Sequence, residues 1–224
     1  MIKHLLRTIF LSVTVLYTLG CYAGSPNTDF SKYHWYVGGL LGFGTTTWGA
    51  LIPTPSSNEL ENELLAVSTP ISVSEGGAIY GGLAGYEFNP YFAVEAAYMH
   101  YPDSIVRFDP FYSIFATDYG VAEFTTQTET VNVLAKVMLF IPGTNGVRFY
   151  SGIGGAGVHR KDVLIDGWRL TPSFALGFNY NFTDHIMAEL AGTFTAGYGG
   201  SRLNPAEIYF PFLYSGLAKL AYRF

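Results

Sequence analysis

YFPFLYSGLAKLAYRF, residues Tyr209 to Phe224, decides the fold. Phe210, Phe212, Tyr214, Gly216, Ala218, Leu220, Tyr222 and Phe224 are apolar or aromatic, and the positions between them include Ser215, Lys219 and Arg223. A period of two puts successive side chains on opposite faces of a strand, so one face is wholly apolar and the other carries two cations. The apolar face begins and ends on aromatic residues. A sheet in water buries such a face under a second layer, whereas a strand in a membrane turns it to lipid and sets its aromatics at the two interfaces. The rest of the chain chooses between these.

Working back from that stretch, the same period recurs. Ile186 to Tyr198 sets Ala188, Leu190, Gly192 and Phe194 against Met187, Glu189, Thr193 and Thr195, and Leu170 to Phe182 sets Phe174, Leu176, Phe178 and Tyr180 against Ser173, Gly177 and Asn179. Pro172 falls at the start of that strand, where a missing donor is tolerated. Glu123 to Ile141 opposes Val131, Val133, Ala135, Val137 and Leu139 to Thr128, Thr130, Asn132 and Lys136, the cleanest alternation in the chain. Ala78 to Phe88 and Tyr91 to Tyr101 add two more strands around an Asn89-Pro90 turn. Tyr33 to Phe43 and the glycine-rich Val147 to His159 alternate as well, but the polarity of their two faces does not tell inside from outside.

Eight strands result, joined by long and short connections in turn. The short ones are at Asn89-Pro90, Pro142 to Gly146 and Thr183 to His185; the long ones are Gly44 to Glu75, Pro102 to Ala122, Arg160 to Arg169 and Gly199 to Ile208. Asn58 to Leu65, bracketed by prolines, allows one short helical turn within the first long loop. An even strand count with long loops on one side and tight turns on the other is the pattern of an all-β, antiparallel, up-and-down transmembrane barrel. A soluble eight-stranded sandwich would leave the aromatic-rich faces without cover.

The N-terminal MIKHLLRTIFLSVTVLYTLGCYAG has two cations, an apolar run and small residues, the pattern of a secretory signal over residues 1–23, with the barrel domain over 24–224. Cleavage after Ala23 removes the single cysteine, Cys21; a lipoprotein-type box around Cys21 would retain it, although Thr18 stands where that box has leucine. Neither outcome permits an internal disulfide. The formal charge is −5 and there is no basic stripe, which excludes a nucleic-acid surface.

The chain resembles the small eight-stranded outer-membrane barrels of Gram-negative bacteria, of the opacity-protein and outer-membrane-protein-A transmembrane-domain type. Four segments carry the resemblance: Trp35 to Gly42, Tyr150 to Val158, Phe174 to Leu190 and the terminal Ala-Tyr-Arg-Phe. It implies residence in the outer membrane among phospholipid and lipopolysaccharide. It also implies that Tyr222 and Phe224 form the signal read by the barrel-assembly machinery, and that the loops are a surface for adhesion or for a host ligand.

Inward facing gathers one constellation. Glu95, Lys136, Glu189 and Lys219 fall at similar depth, Glu95 beside Lys136 and Glu189 beside Lys219, with Glu87, Arg148 and Arg223 nearer the tight turns. Buried charges are tolerated only when paired, so the cluster reads as a structural plug or as a narrow gated ion path.

A lipid A acyl-modifying enzyme needs a rim histidine with a nucleophile; His100 with Asp103 and Ser104 comes nearest, and His159 ends the fifth strand, but no His-x-Ser occurs. The residues therefore predict no enzyme, no cofactor and no metal site. The GIGGAG run, Gly152 to Gly157, precedes no helix and is not a dinucleotide loop. In the loops, Glu59, Glu61 and Glu63 accompany leucines, and Phe108, Phe111, Tyr112, Phe115 and Tyr119 form an aromatic group that either contacts a partner or packs over the barrel mouth.

Overall fold

Period-two patterning becomes a closed cylinder in the computed structural model, which describes residues 34–52, 69–144, 146–197 and 212–224. The expected signal segment, the helical turn at Asn58 to Leu65, the three loop glutamates and the Gly199 to Ile208 loop lie outside the described residues. The described residues form ten strands: β1 (Trp35–Thr45), β2 (Ser72–Ser74), β3 (Gly77–Asn89), β4 (Phe92–His100), β5 (Ser104–Arg107), β6 (Glu123–Phe140), β7 (Arg148–Lys161), β8 (Asp166–Asn181), β9 (Ile186–Ala196) and β10 (Phe212–Arg223). Eight of them make the wall in the order β1, β3, β4, β6, β7, β8, β9, β10, and β10 pairs back onto β1. All of these pairings are antiparallel.

Alternation sorts the wall strands, most cleanly β6 and β10. In β10 the residues from Leu213 to Arg223 alternate buried and exposed without a break, the exposed set being Phe212, Tyr214, Gly216, Ala218, Leu220 and Tyr222. β1, undecided in sequence, turns Trp35, Val37, Leu41 and Phe43 outward and Tyr36 and Leu40 inward. Among the described residues no helix is long and apolar enough to cross a membrane, yet Leu41, Val133, Leu139, Ile153, Leu176 and Leu220 are all half exposed or more on the outer wall. Exposed apolar residues in so continuous a belt have one sufficient solvent, hydrocarbon. Trp35 and Phe43, near the two edges of that belt, are eight residues apart, roughly 20 Å of height on a tilted strand.

Two expectations are corrected. Arg160 to Arg169 is not a charged loop: β7 and β8 stay paired from Arg148↔Asn179 up to Lys161↔Asp166, and only residues 162–165 turn. Asp162 makes that turn tight by accepting from the Leu164 and Ile165 amides and pairing with Arg160. Pro172 is consequently inside β8, opposite Gly155 of β7; its other neighbour, β9, begins pairing only at Ser173, so the missing amide costs no β9 rung there.

The Pro102 to Ala122 connection also has structure. β5 pairs with the upper end of β6 and with β2, and a short helix, α1 (Ile114–Tyr119), follows, capped by the Ser113 hydroxyl and stopped by Gly120 at φ 70°. Above the barrel these pieces build a second, smaller core of Trp48, Val106, Phe108, Phe115 and Phe124, with Val73 and Leu164 against it.

Candidate functional site

The lumen is the chemically distinctive part of the molecule. Glu95 sits on β4, Lys136 on β6, Glu189 on β9 and Lys219 on β10, all on inward positions and all less than a tenth exposed. The Lys136 ammonium is 2.7 Å from Glu95 Oε2 and 2.7 Å from Glu189 Oε2; the Lys219 ammonium is 2.7 Å from Glu95 Oε1 and 2.6 Å from Glu189 Oε1. The four groups thus form a closed ring in which each carboxylate oxygen meets one lysine and each lysine meets both glutamates. Two of the contacts join neighbouring strands, and the other two cross the barrel. Tyr36 donates to Glu95 at 3.1 Å and Tyr150 donates to Glu189 at 2.5 Å, while Lys136 lies 4.3 Å above the Tyr150 ring.

This arrangement has an internal two-fold. Advancing four strands around the wall carries β1 to β7, β4 to β9 and β6 to β10, and with them Tyr36 to Tyr150, Glu95 to Glu189 and Lys136 to Lys219. The correspondence extends to two glycines: Gly85 stands opposite Tyr36 and Gly177 opposite Tyr150. A Cβ on Gly85 would come within 2.1 Å of the Tyr36 ring, and one on Gly177 within 2.7 Å of the Tyr150 ring. Each tyrosine leans over the bare backbone of its neighbour to reach its glutamate.

Nearer the tight turns, Glu87 is clamped between Arg148 and Arg223, each 2.8 Å away through one carboxylate oxygen. Arg148 also donates to Asn179 and to the Pro90 carbonyl. All seven charges named from sequence therefore occupy two adjoining networks. On the loop side of the ring the lumen is lined by uncharged polar groups, among them Thr130, Asn132, Ser173, Thr193, Thr195 and Ser215. Higher still, Trp48 is stacked by the Arg160 guanidinium at 4.4 Å, and only about 10 Å³ of free space remains between them and Thr128 and Leu213.

The architecture is that of a small outer-membrane barrel. No family model and no curated protein sequence matches the chain. Among solved structures it is similar to the N-terminal β-barrel domain of Pseudomonas aeruginosa OprF, with 13% identity and a TM-score of 0.44 over 84% of this chain and 97% of that one. It is similar also to Neisserial surface protein A, with 12% identity and a TM-score of 0.49 over 85% and 97%, and to OprG of Pseudomonas aeruginosa, with 12% and 0.49 over 86% and 96%. At such identities the likeness concerns the fold alone.

Tyr36, Tyr150, Trp48 and Arg160 were not singled out by sequence. A signal existed for two of them: Arg148, Tyr150 and Arg160 share one parity, so placing Arg148 in the lumen places the other two inside also. The five loop aromatics separate. Phe108 and Phe115 are buried, stacked 4.3 Å apart in the loop core, which is the packing alternative left open by sequence; Phe111, Tyr112 and Tyr119 are exposed. Tyr222 and Phe224 face outward at the tight-turn end, Tyr222 stacked on His185.

The histidines do not assemble with a nucleophile. Ser104 is fully buried with its hydroxyl 2.7 Å from Thr46, whereas His100 faces the opposite side of the wall against Glu129. His159 also leans on Glu129, and its far nitrogen is 3.0 Å from Asp166. Among the described residues no group of three or more His, Cys, Asp or Glu is placed to hold a metal ion.

Proposed function

We propose that this chain is a non-conducting, non-enzymatic outer-membrane barrel that serves as a rigid stalk for a folded surface cap, through which it binds a partner outside the cell. The observation that carries the reading is the closed ring of Glu95, Lys136, Glu189 and Lys219. An eight-stranded barrel is just wide enough for side chains to fill, and here they fill it with ion pairs that satisfy one another across the lumen. A gate that worked by exchanging partners needs an unused alternative partner, and in this ring each lysine already holds both glutamates. Opening it breaks at least two buried pairs at once, each worth several kcal/mol when left uncompensated.

The gated channel remains the second reading, favoured by the continuous run of polar groups from Thr130 to Ser215 above the ring. Two measurements separate them. Cells displaying the full chain should adhere to an epithelial monolayer, and replacing residues 108–122 by a short Gly-Ser linker should reduce adhesion to background while the barrel still folds. Planar bilayers containing the purified chain should show no unitary step. A reproducible step, or adhesion indifferent to the linker, overturns the proposal.

A further inference from the structure

The cap presents two aromatic side chains that stand exposed among the described residues. Phe111 is 86% exposed and Tyr112 73% exposed, and Ile114, Tyr119 and Val121 extend the patch. Two aromatics at that exposure offer roughly 300 Å² of contact surface, the size of the largest patch on many monomers. The patch does not arise from looseness. Asp109 Oδ1 accepts from the amides of both Phe111 and Tyr112, at 2.8 and 3.0 Å. Beneath them Phe108, Phe115 and Phe124 stack on one another, and Gly120 ends the helix. Holding the backbone of the pair on a packed pedestal removes part of the ordering entropy that binding would otherwise cost.

Three observations define the occupant. The outward aromatics Trp168, level with Glu129, and Tyr98, level with Val131 two residues lower, mark the membrane edge, and Glu123 lies six residues above Glu129 on β6, roughly 15 Å higher on a tilted strand. The pair is therefore beyond the reach of the membrane that holds the barrel. Its surroundings are acidic: residues 108–122 contain two aspartates and no lysine or arginine, and among the described residues of the connections 46–52, 69–76 and 101–122 there are four acidic residues, Glu75, Asp103, Asp109 and Asp118, against one cation, Arg107. That cation is paired with Glu123 at 2.5 Å. An acidic collar repels anionic lipid headgroups and attracts a basic protein surface.

Resting on the reading above, we infer that Phe111 and Tyr112 are the anchors of a protein-binding site whose partner presents an apolar cleft rimmed by lysine or arginine.

The test selects a displayed random-peptide library against the full mature barrel refolded in detergent. Recovered peptides should pair apolar residues with Arg or Lys. Their affinity should fall at least tenfold on F111S/Y112S and severalfold on D118K, and it should weaken as NaCl is raised from 50 to 500 mM. Both variants change exposed positions, and unchanged heat-modifiability on gels checks that the barrel is intact. Peptides that need the 108–122 loop but tolerate F111S/Y112S, or that lack basic residues, overturn this site and leave the adhesive reading standing; peptides indifferent to every outer loop overturn both. Flotation of the refolded barrel with phosphatidylglycerol vesicles, lost on F111S/Y112S, replaces the protein partner with a lipid surface. A dimer by sedimentation that the same variant abolishes replaces it with a second copy.

Discussion

Lys136 and Arg107 each contact carboxylates, and their surroundings make the contacts unequal. Lys136 is 2% exposed between Glu95 and Glu189, while Arg107 and Glu123 are about half exposed. Removing the buried ammonium leaves two carboxylates short of a partner in a medium that cannot solvate them, so Lys136→Met should cost about 3–5 kcal/mol. Arg107→Ala should cost about 0–1 kcal/mol. Urea unfolding of the two variants in detergent, followed by tryptophan fluorescence, checks the contrast; equal midpoints would remove the ring from any structural role. Gly85→Ala acts at the same scale without touching a charge. Its methyl takes the space of the Tyr36 ring, so Tyr36 loses Glu95, and unfolding should shift by about 1–3 kcal/mol, as overpacking does.

At the scale of elements, the two-fold of the lumen makes half-barrels the natural unit. β4 and β6 supply one Glu and Lys, β9 and β10 the other. Reversing the charges of one half only, E95K/K136E, sets like charges together at both contacts that cross the lumen. Reversing all four positions restores alternation. Heat-modifiability should be lost in the half-reversed protein and return in the fully reversed one; a half reversal that folds as well as the original contradicts the ring geometry.

The cap is a separate element with its own core. Phe108→Ala should cost about 3–5 kcal/mol of local stability by emptying the Phe115 and Phe124 stack. Amide exchange should quicken across β5 and α1 and stay slow in β8 to β10.

Strands of this kind were largely legible beforehand, because period two survives in a single sequence wherever polar and apolar residues differ sharply. β10 and β6 show it at Lys219 and Lys136, and their parity alone put the ring in the lumen. β1 was not legible: Tyr36, Gly38 and Leu40 are no more polar than Val37, Gly39 and Leu41, since the lumen there accepts a tyrosine ring and bare glycine backbone. The β7–β8 hairpin was misjudged for a related reason. Above the membrane a strand need not be apolar on either face, so charged residues from Arg160 to Arg169 resembled a loop. The division of the five aromatics into pedestal and tip depends on tertiary packing, which spacing does not encode.

For the whole molecule, both ends are closed by different means. The Glu87, Arg148 and Arg223 network fills the tight-turn end, the ring fills the middle, and Trp48 with Arg160 covers the loop end. On the proposed non-conducting reading, conductance should be absent even when one closure alone is relieved, as in Trp48→Ala, and a unitary step in that variant would mean that the ring does not seal.

The junction of first and last strands is also held at both extremities. At the loop end the Thr47 hydroxyl, on a residue at φ 55°, both accepts from the Phe212 amide and donates to its carbonyl; at the other end the Phe224 amide donates to the Trp35 carbonyl. Lys219 arrives with that last strand. Before it docks, Glu95 and Glu189 must share Lys136 alone, and an open sheet in that condition brings a surplus negative charge toward hydrocarbon. Sealing the wall and neutralising its interior are one event, so the lipid phase itself discriminates against a chain that has inserted without finishing.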